Sequence, residues 1–164
     1  MAQGLAVTYD WVRRTREPLV KALGALGADR YAAPQATLAG DSVRDRHLHM
    51  AQCYIHWVER VGLERDVPDP DPADYPDPVS ALAAFERADR AVAELLERHA
   101  GRLDEEFVRT NRDFTGRFTA RWLLSHPITH EFHHKGQIVV VVRMFGVDPG
   151  DTDLIYPFPF APNG

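Results

Sequence analysis

The sequence predicts an all-α protein, a four-helix bundle with long connecting loops. Three observations predict it. Apolar residues recur at spacings of three and four in four separate segments, the period of a helix with one face turned to a core. Residues that cap or stop helices bracket most of those segments. Between them lie stretches rich in Pro, Gly or Asp, which interrupt helices.

The first segment, 5–26, places Tyr9, Val12, Leu19, Leu23 and Leu26 near one face, and Pro18 is expected to bend or split it. A Gly-, Ala- and Pro-rich connector covers 27–40. Ser42 reads as an N-cap, with Asp45 three residues on completing a short capping box. The helix it starts is expected to reach about residue 64, its stripe formed by Val43, Met50, Tyr54, Trp57, Val58 and Val61. Residues 66–78 hold five prolines and five aspartates, which forbid a helix and favour an extended, polyproline-like loop. The aspartates lack the spacing and central Gly of a calcium loop, so this is read as solvated acidic chain.

Ser80 is expected to cap a third helix over 81–100, with Leu82, Phe85, Ala88, Val92, Leu95 and Leu96 on its apolar face and Gly101 as its stop. Residues 113–119, with Gly116, read as a turn or short hairpin. Thr119 caps the last helix, 120–145, which ends at Gly146 with Pro149 beyond. Within it, 138–142 is β-branched throughout and favours a strand by propensity, a preference that packing overrides. Pro127 deprives the Leu123 carbonyl of its helical donor. The stretch 156–162 alternates aromatics with Pro and is expected to lie extended over the surface or a partner.

Length and composition fit one domain over 1–164, with 66–78 as an acidic loop and 148–164 as an extended tail; 45% of the residues are hydrophobic. The formal net charge is -5 and no Lys/Arg cluster matches a phosphate backbone, which argues against nucleic acid. No apolar run approaches membrane-spanning length, and residues 1–6 lack a signal-peptide pattern. The one cysteine, Cys53, excludes an internal disulfide and suits a cytoplasmic setting.

The chemistry concentrates in the last helix. At about 100° per residue, His126, His130, His133, His134 and Gln137 fall in a sector of roughly 100°. His130 and His134 project from successive turns and can reach one ion, where a solvated face would carry Lys and Glu. Glu131 after His130 reproduces the H-E-x-x-H zinc-protease pattern. A protease would also need a downstream third ligand and a substrate-aligning edge strand, neither of which is seen, so that match is read as accidental. A third ligand must come from elsewhere. In the second helix His47 lies within the apolar stripe and reads as a packed, hydrogen-bonded residue. His49, Cys53 and His56 lie together off the stripe, where they can line a groove, and compete equally for the place.

Two segments then resemble the DinB/YfiT-like superfamily of four-helix metalloproteins. Ser42-Val-Arg-Asp-Arg-His-Leu-His-Met-Ala-Gln-Cys-Tyr is similar to its second-helix motif, in which a His is followed by an apolar residue and Ala; His49 takes that position. His130-Glu-Phe-His-His-Lys-Gly-Gln-Ile is similar to its late-helix H-x-x-x-H pair, often followed by Gly-Gln. The chain departs from the commoner pattern at His47, where an apolar residue is usual. The resemblance implies a bundle of DinB/YfiT type that often dimerises, and a three-His site of His49, His130 and His134 for zinc or nickel.

It further implies a metal-dependent transferase that moves a low-molecular-weight thiol, such as bacillithiol or mycothiol, onto an electrophilic small molecule through a metal-bound thiolate. Glu131, His133 and Gln137 are then expected to orient ligand imidazoles, and His126 to do the same or serve as an acid–base group. Two rival readings share the site. One is a metal-dependent hydrolase with Glu131 as base. The other is a non-catalytic, metal-stabilised bundle that binds a small molecule or partner, with Cys53 or His56 closing the coordination.

Overall fold

The computed structural model describes residues 2–110 and 114–154. The described part is mostly helical, with a two-stranded hairpin as its only sheet. Of the two expectations for the first segment, a bend or a split, the split is found, giving α1 (Ala2–Arg14) and α2 (Arg16–Leu26). The break falls at Thr15, ahead of Pro18. Pro18 therefore sits in the first turn of α2, where a missing N–H breaks no helical bond. The connector also folds further than its composition suggests, into α3 (Ala28–Ala32) and a single 3-10 turn, Ala36–Leu38.

α4 (Val43–Tyr54) starts with the expected capping box. The Ser42 side chain accepts from the Asp45 N–H, and the Asp45 carboxylate accepts from the Ser42 N–H. Beyond Tyr54 the helix does not end but widens into π-type turns over Ile55–Gly62, with the Leu63 N–H donating to the Val58 carbonyl at 2.9 Å. Such stretches are rare and re-aim the side chains that follow them. Gly62 lets this segment press close to its neighbours, since a Cβ there would meet Leu95 Cδ1 at 2.8 Å.

The acidic loop is extended around a short 3-10 turn, Pro72–Asp74, and is tied down. Gln52 donates to the Pro70 carbonyl, and Arg60 donates to the Val67 carbonyl and pairs with Asp69 at 2.9 Å. α5 (Leu82–Arg98) begins without a side-chain cap. Ser80 instead donates its hydroxyl to the Asp77 carbonyl, while the Asp77 carboxylate accepts from the Val79 and Ser80 N–H groups. Strands β1 (Phe107–Thr110) and β2 (Thr115–Phe118) pair antiparallel with Phe107 opposite Phe118, so the fold is not wholly helical.

α6 (Ala120–Met144) is capped by Thr119, runs through a buried Pro127, and keeps 138–142 helical. Ile138, Val141 and Val142 are buried there with Leu19, Leu23, Leu48 and Met50, so core burial sets the conformation of a β-prone stretch. α6 packs against α4, and α5 packs against the 55–62 segment. No helix among the described residues is long and apolar enough to cross a membrane. The aromatic stretch 156–162 and most of the expected tail lie outside the described residues.

Candidate metal centre

The groove between α4 and α6 gathers the histidines. His49 Nε2 lies 2.9 Å from His130 Nε2, and His134 Nε2 lies 2.9 Å from the same atom. The three nitrogens are thus mutually convergent, contributed by one residue of α4 and by successive turns of α6. Gln137 Oε1 accepts from His134 Nδ1 at 2.7 Å, which puts the ring proton on Nδ1 and leaves a lone pair on Nε2. Gln137 Nε2 in turn donates to His133 Nε2 at 3.2 Å.

A hydrogen-bonded cluster of neutral imidazoles satisfies this geometry only through a three-centre bond. His130 Nε2 can carry one proton, yet it faces two nitrogens at equal distance. A divalent cation would satisfy all three lone pairs, and three imidazole nitrogens are a donor set suited to a transition metal. Burial, followed by the neighbouring imidazoles, lowers His130 to about 4. Burial also lowers His134, against the Gln137 contact. Both are therefore neutral, the form that binds a metal. The residues fit the ion that the sequence implies.

The other residues expected at the site separate into two groups. His126 stacks on Trp122 at 5.2 Å with rings 12° apart and meets Trp57 edge-on at 5.3 Å. It lines, with His49, Gln52, Cys53, His56, Trp57 and His130, a cavity of about 340 Å³ beside the three nitrogens. A larger cavity of about 430 Å³ shares His56 and Arg60 with it and contains none of the convergent histidines; the chemistry sits in the smaller one. Thus His49, Cys53 and His56 do line one groove. His49 joins the pair from α6, and Cys53 comes close to His126 and His130 instead. Burial pushes the Cys53 thiol up to about 12. His47 is buried, its Nδ1 2.9 Å from the Tyr31 hydroxyl, as a packing residue should be.

Glu131 is the correction. Its carboxylate does not face the histidines but is fully buried on the core side of α6. Arg16 Nε and Nη2 donate to it at 3.0 and 2.9 Å, the Tyr54 hydroxyl donates at 2.8 Å, and Lys135 Nζ lies 2.9 Å away. Arg16 also reaches Asp89 at 2.8 Å, and Lys135 donates to the Thr15 hydroxyl. With both oxygens occupied and no solvent contact, Glu131 neither orients an imidazole nor can serve as a base. Its part is to fix the rotation of α6, since the turn that aims Glu131 and Lys135 at Arg16 aims His130 and His134 at α4.

Sequence reasoning missed Arg16 and Lys135. Both interrupt apolar stripes at helical spacing, Arg16 between Val12 and Leu19, and Lys135, together with Glu131, between Leu124 and Ile138. A charge in a stripe position was the available signal.

The sequence pattern of the DinB family matches residues 1–159. The chain belongs to the DinB family. No curated protein matches it. In this DinB-family chain the three-histidine cluster therefore stands on helix geometry and family membership together. Replacing Gln137 with leucine removes the acceptor that fixes the His134 tautomer. It is expected to weaken divalent-ion affinity by about 10–100-fold without loss of fold, as read by competition with a chromophoric chelator. Unchanged affinity would show that His134 needs no such partner.

Proposed function

We propose that this protein is a metal-dependent enzyme on a four-helix bundle of DinB type, transferring a low-molecular-weight thiol to an electrophilic small molecule. The observation that carries the reading is the convergence of His49, His130 and His134 beside a cavity large enough for a small substrate. His49, His130 and His134 would hold a divalent ion, which when bound would acidify a thiol and so supply a nucleophile at neutral pH. His134, with its proton held at Nδ1 by Gln137, keeps one ligand lone pair aimed inward. Neutral His126, lowered by burial, stands in the cavity wall where it can take the proton that the thiol gives up. Trp57 and His126 form an aromatic wall, and Arg60 with Asp69 pins the 66–78 loop across the cavity edge.

Hydrolysis on the same site has lost its expected base, because Glu131 is buried in ion pairs. A closed, purely structural site is disfavoured by the cavity that opens beside the histidines. The test uses zinc- or nickel-reconstituted protein with bacillithiol or mycothiol and a chromogenic aryl halide. Saturable, thiol-dependent adduct formation that disappears in His49→Ala is expected. Saturable turnover without thiol would replace the proposal by a hydrolase, and a fully metallated but inert protein by a binding module.

A further inference from the structure

The two helices that build the three-histidine cluster repeat the arrangement one turn along. On α4, Cys53 follows His49 by four residues; on α6, His126 precedes His130 by four. Because the residue pairs run in opposite directions along the sequence, the groove becomes a ladder with two rungs. His49, His130 and His134 form one rung, and Cys53, His126 and His130 the other. Ligand atoms within each rung lie within 4.8 Å of one another.

We propose that Cys53, His126 and His130 form a second ion position, distinct from the three-histidine cluster and selective for a thiophilic ion such as cadmium or copper(I). The inference goes beyond the proposed activity; it shares His130 with the three-histidine cluster and His126 with the proposed proton transfer.

The donor set sets the preference. One thiolate with two imidazoles is softer than three imidazoles, and thiolate ligands favour soft ions. Even a zinc-sized tetrahedral site, with bonds of about 2.0–2.3 Å, needs ligand atoms about 3.3–3.8 Å apart. Closing the rung from its present spacing therefore asks for side-chain shifts of about an ångström. His126 is already oriented by its stack on Trp122 and its edge contact with Trp57. Cys53 is buried against bulk solvent but lines the same cavity as His126 and His130, which gives an ion a way in. A buried cysteine is ordinarily a small packing residue. Two imidazoles converging on it from a neighbouring helix across a cavity are not what packing alone requires.

The experiment separates this rung from the first. His134→Ala dismantles the three-histidine cluster and leaves Cys53, His126 and His130 intact. Titrated with cadmium, that variant is expected to develop a thiolate-to-cadmium ultraviolet band saturating near one equivalent. Adding Cys53→Ser should abolish the band, and adding His126→Ala should weaken cadmium binding about tenfold or more. No thiolate band in His134→Ala, or equal affinity with and without His126, would overturn the proposal. Should the double variants fail to fold, cadmium NMR of the wild-type protein decides, since sulfur ligation moves the resonance strongly downfield of an all-nitrogen site. A wild-type spectrum with nitrogen-only ligation at saturation overturns the second position while leaving the proposed enzyme untouched.

Discussion

Glu131→Gln is expected to lower the unfolding free energy by about 3–5 kcal/mol, the usual cost of leaving buried charge uncompensated. Against a total of about 5–15 kcal/mol for a domain, that is a large share. The substitution keeps the shape of the side chain but leaves Arg16 and Lys135 in the core with one negative charge fewer. Urea denaturation at neutral pH measures it.

The same residue sets an acid limb. Burial by itself would raise the Glu131 carboxyl, but the charges of Arg16 and Lys135 outweigh burial and hold it at about 2, against an ordinary 4.5. Lys135 shows the other side of the cluster: burial lowers its ammonium even though Glu131 favours the charge. A carboxylate whose folded value is depressed stabilises fully above the unfolded value. That stability is lost as pH falls from about 4.5 toward about 2. The wild-type protein should therefore lose stability through that window more steeply than Glu131→Gln. Equal stability at neutral pH, or superimposable acid limbs, would mean that the cluster does not hold α6 in place.

The second large effect is on metal. In a Cys53→Ser background, which silences the neighbouring rung, reconstitution with zinc or nickel is expected to leave about one ion per chain, the ratio of a single three-ligand site. His49→Ala, His130→Ala and His134→Ala should each reduce affinity by more than ~100-fold, since loss of an outer-shell partner alone can cost that much. Helix content should stay the same, because the three imidazoles face a groove and not the main apolar core. Metal analysis after gel filtration, with circular dichroism beside it, reads both. Full stoichiometry in all three variants would remove the histidine cluster from the ion's coordination.

Much of this molecule is written in local pattern. The capping box at Ser42, the Thr119 cap and the shared face of His126, His130, His133, His134 and Gln137 all depend on residues within a turn or two of each other. Helical periodicity is enough to read them. The same pattern separated His47, which packs, from His49, Cys53 and His56, which line the groove. The family followed from two short segments for the same reason.

What sequence could not reach was pairing between distant elements. His49 and His130 are 81 residues apart, and Arg16 and Glu131 are 115 apart. Which of His49, Cys53 and His56 meets the α6 pair depends on how α4 slides against α6, and no local rule fixes that. The break at Thr15, the wide turns over Ile55–Gly62 and the short helix Ala28–Ala32 also went beyond local reading, because packing against neighbours decides where a helix yields. Glu131 illustrates the division. Sequence placed it next to a candidate ligand, where it resembled a catalytic base. Only the approach of α2, carrying Arg16, decided that it is a buried counter-ion, because a carboxylate takes its role from the charges around it and those came from across the fold.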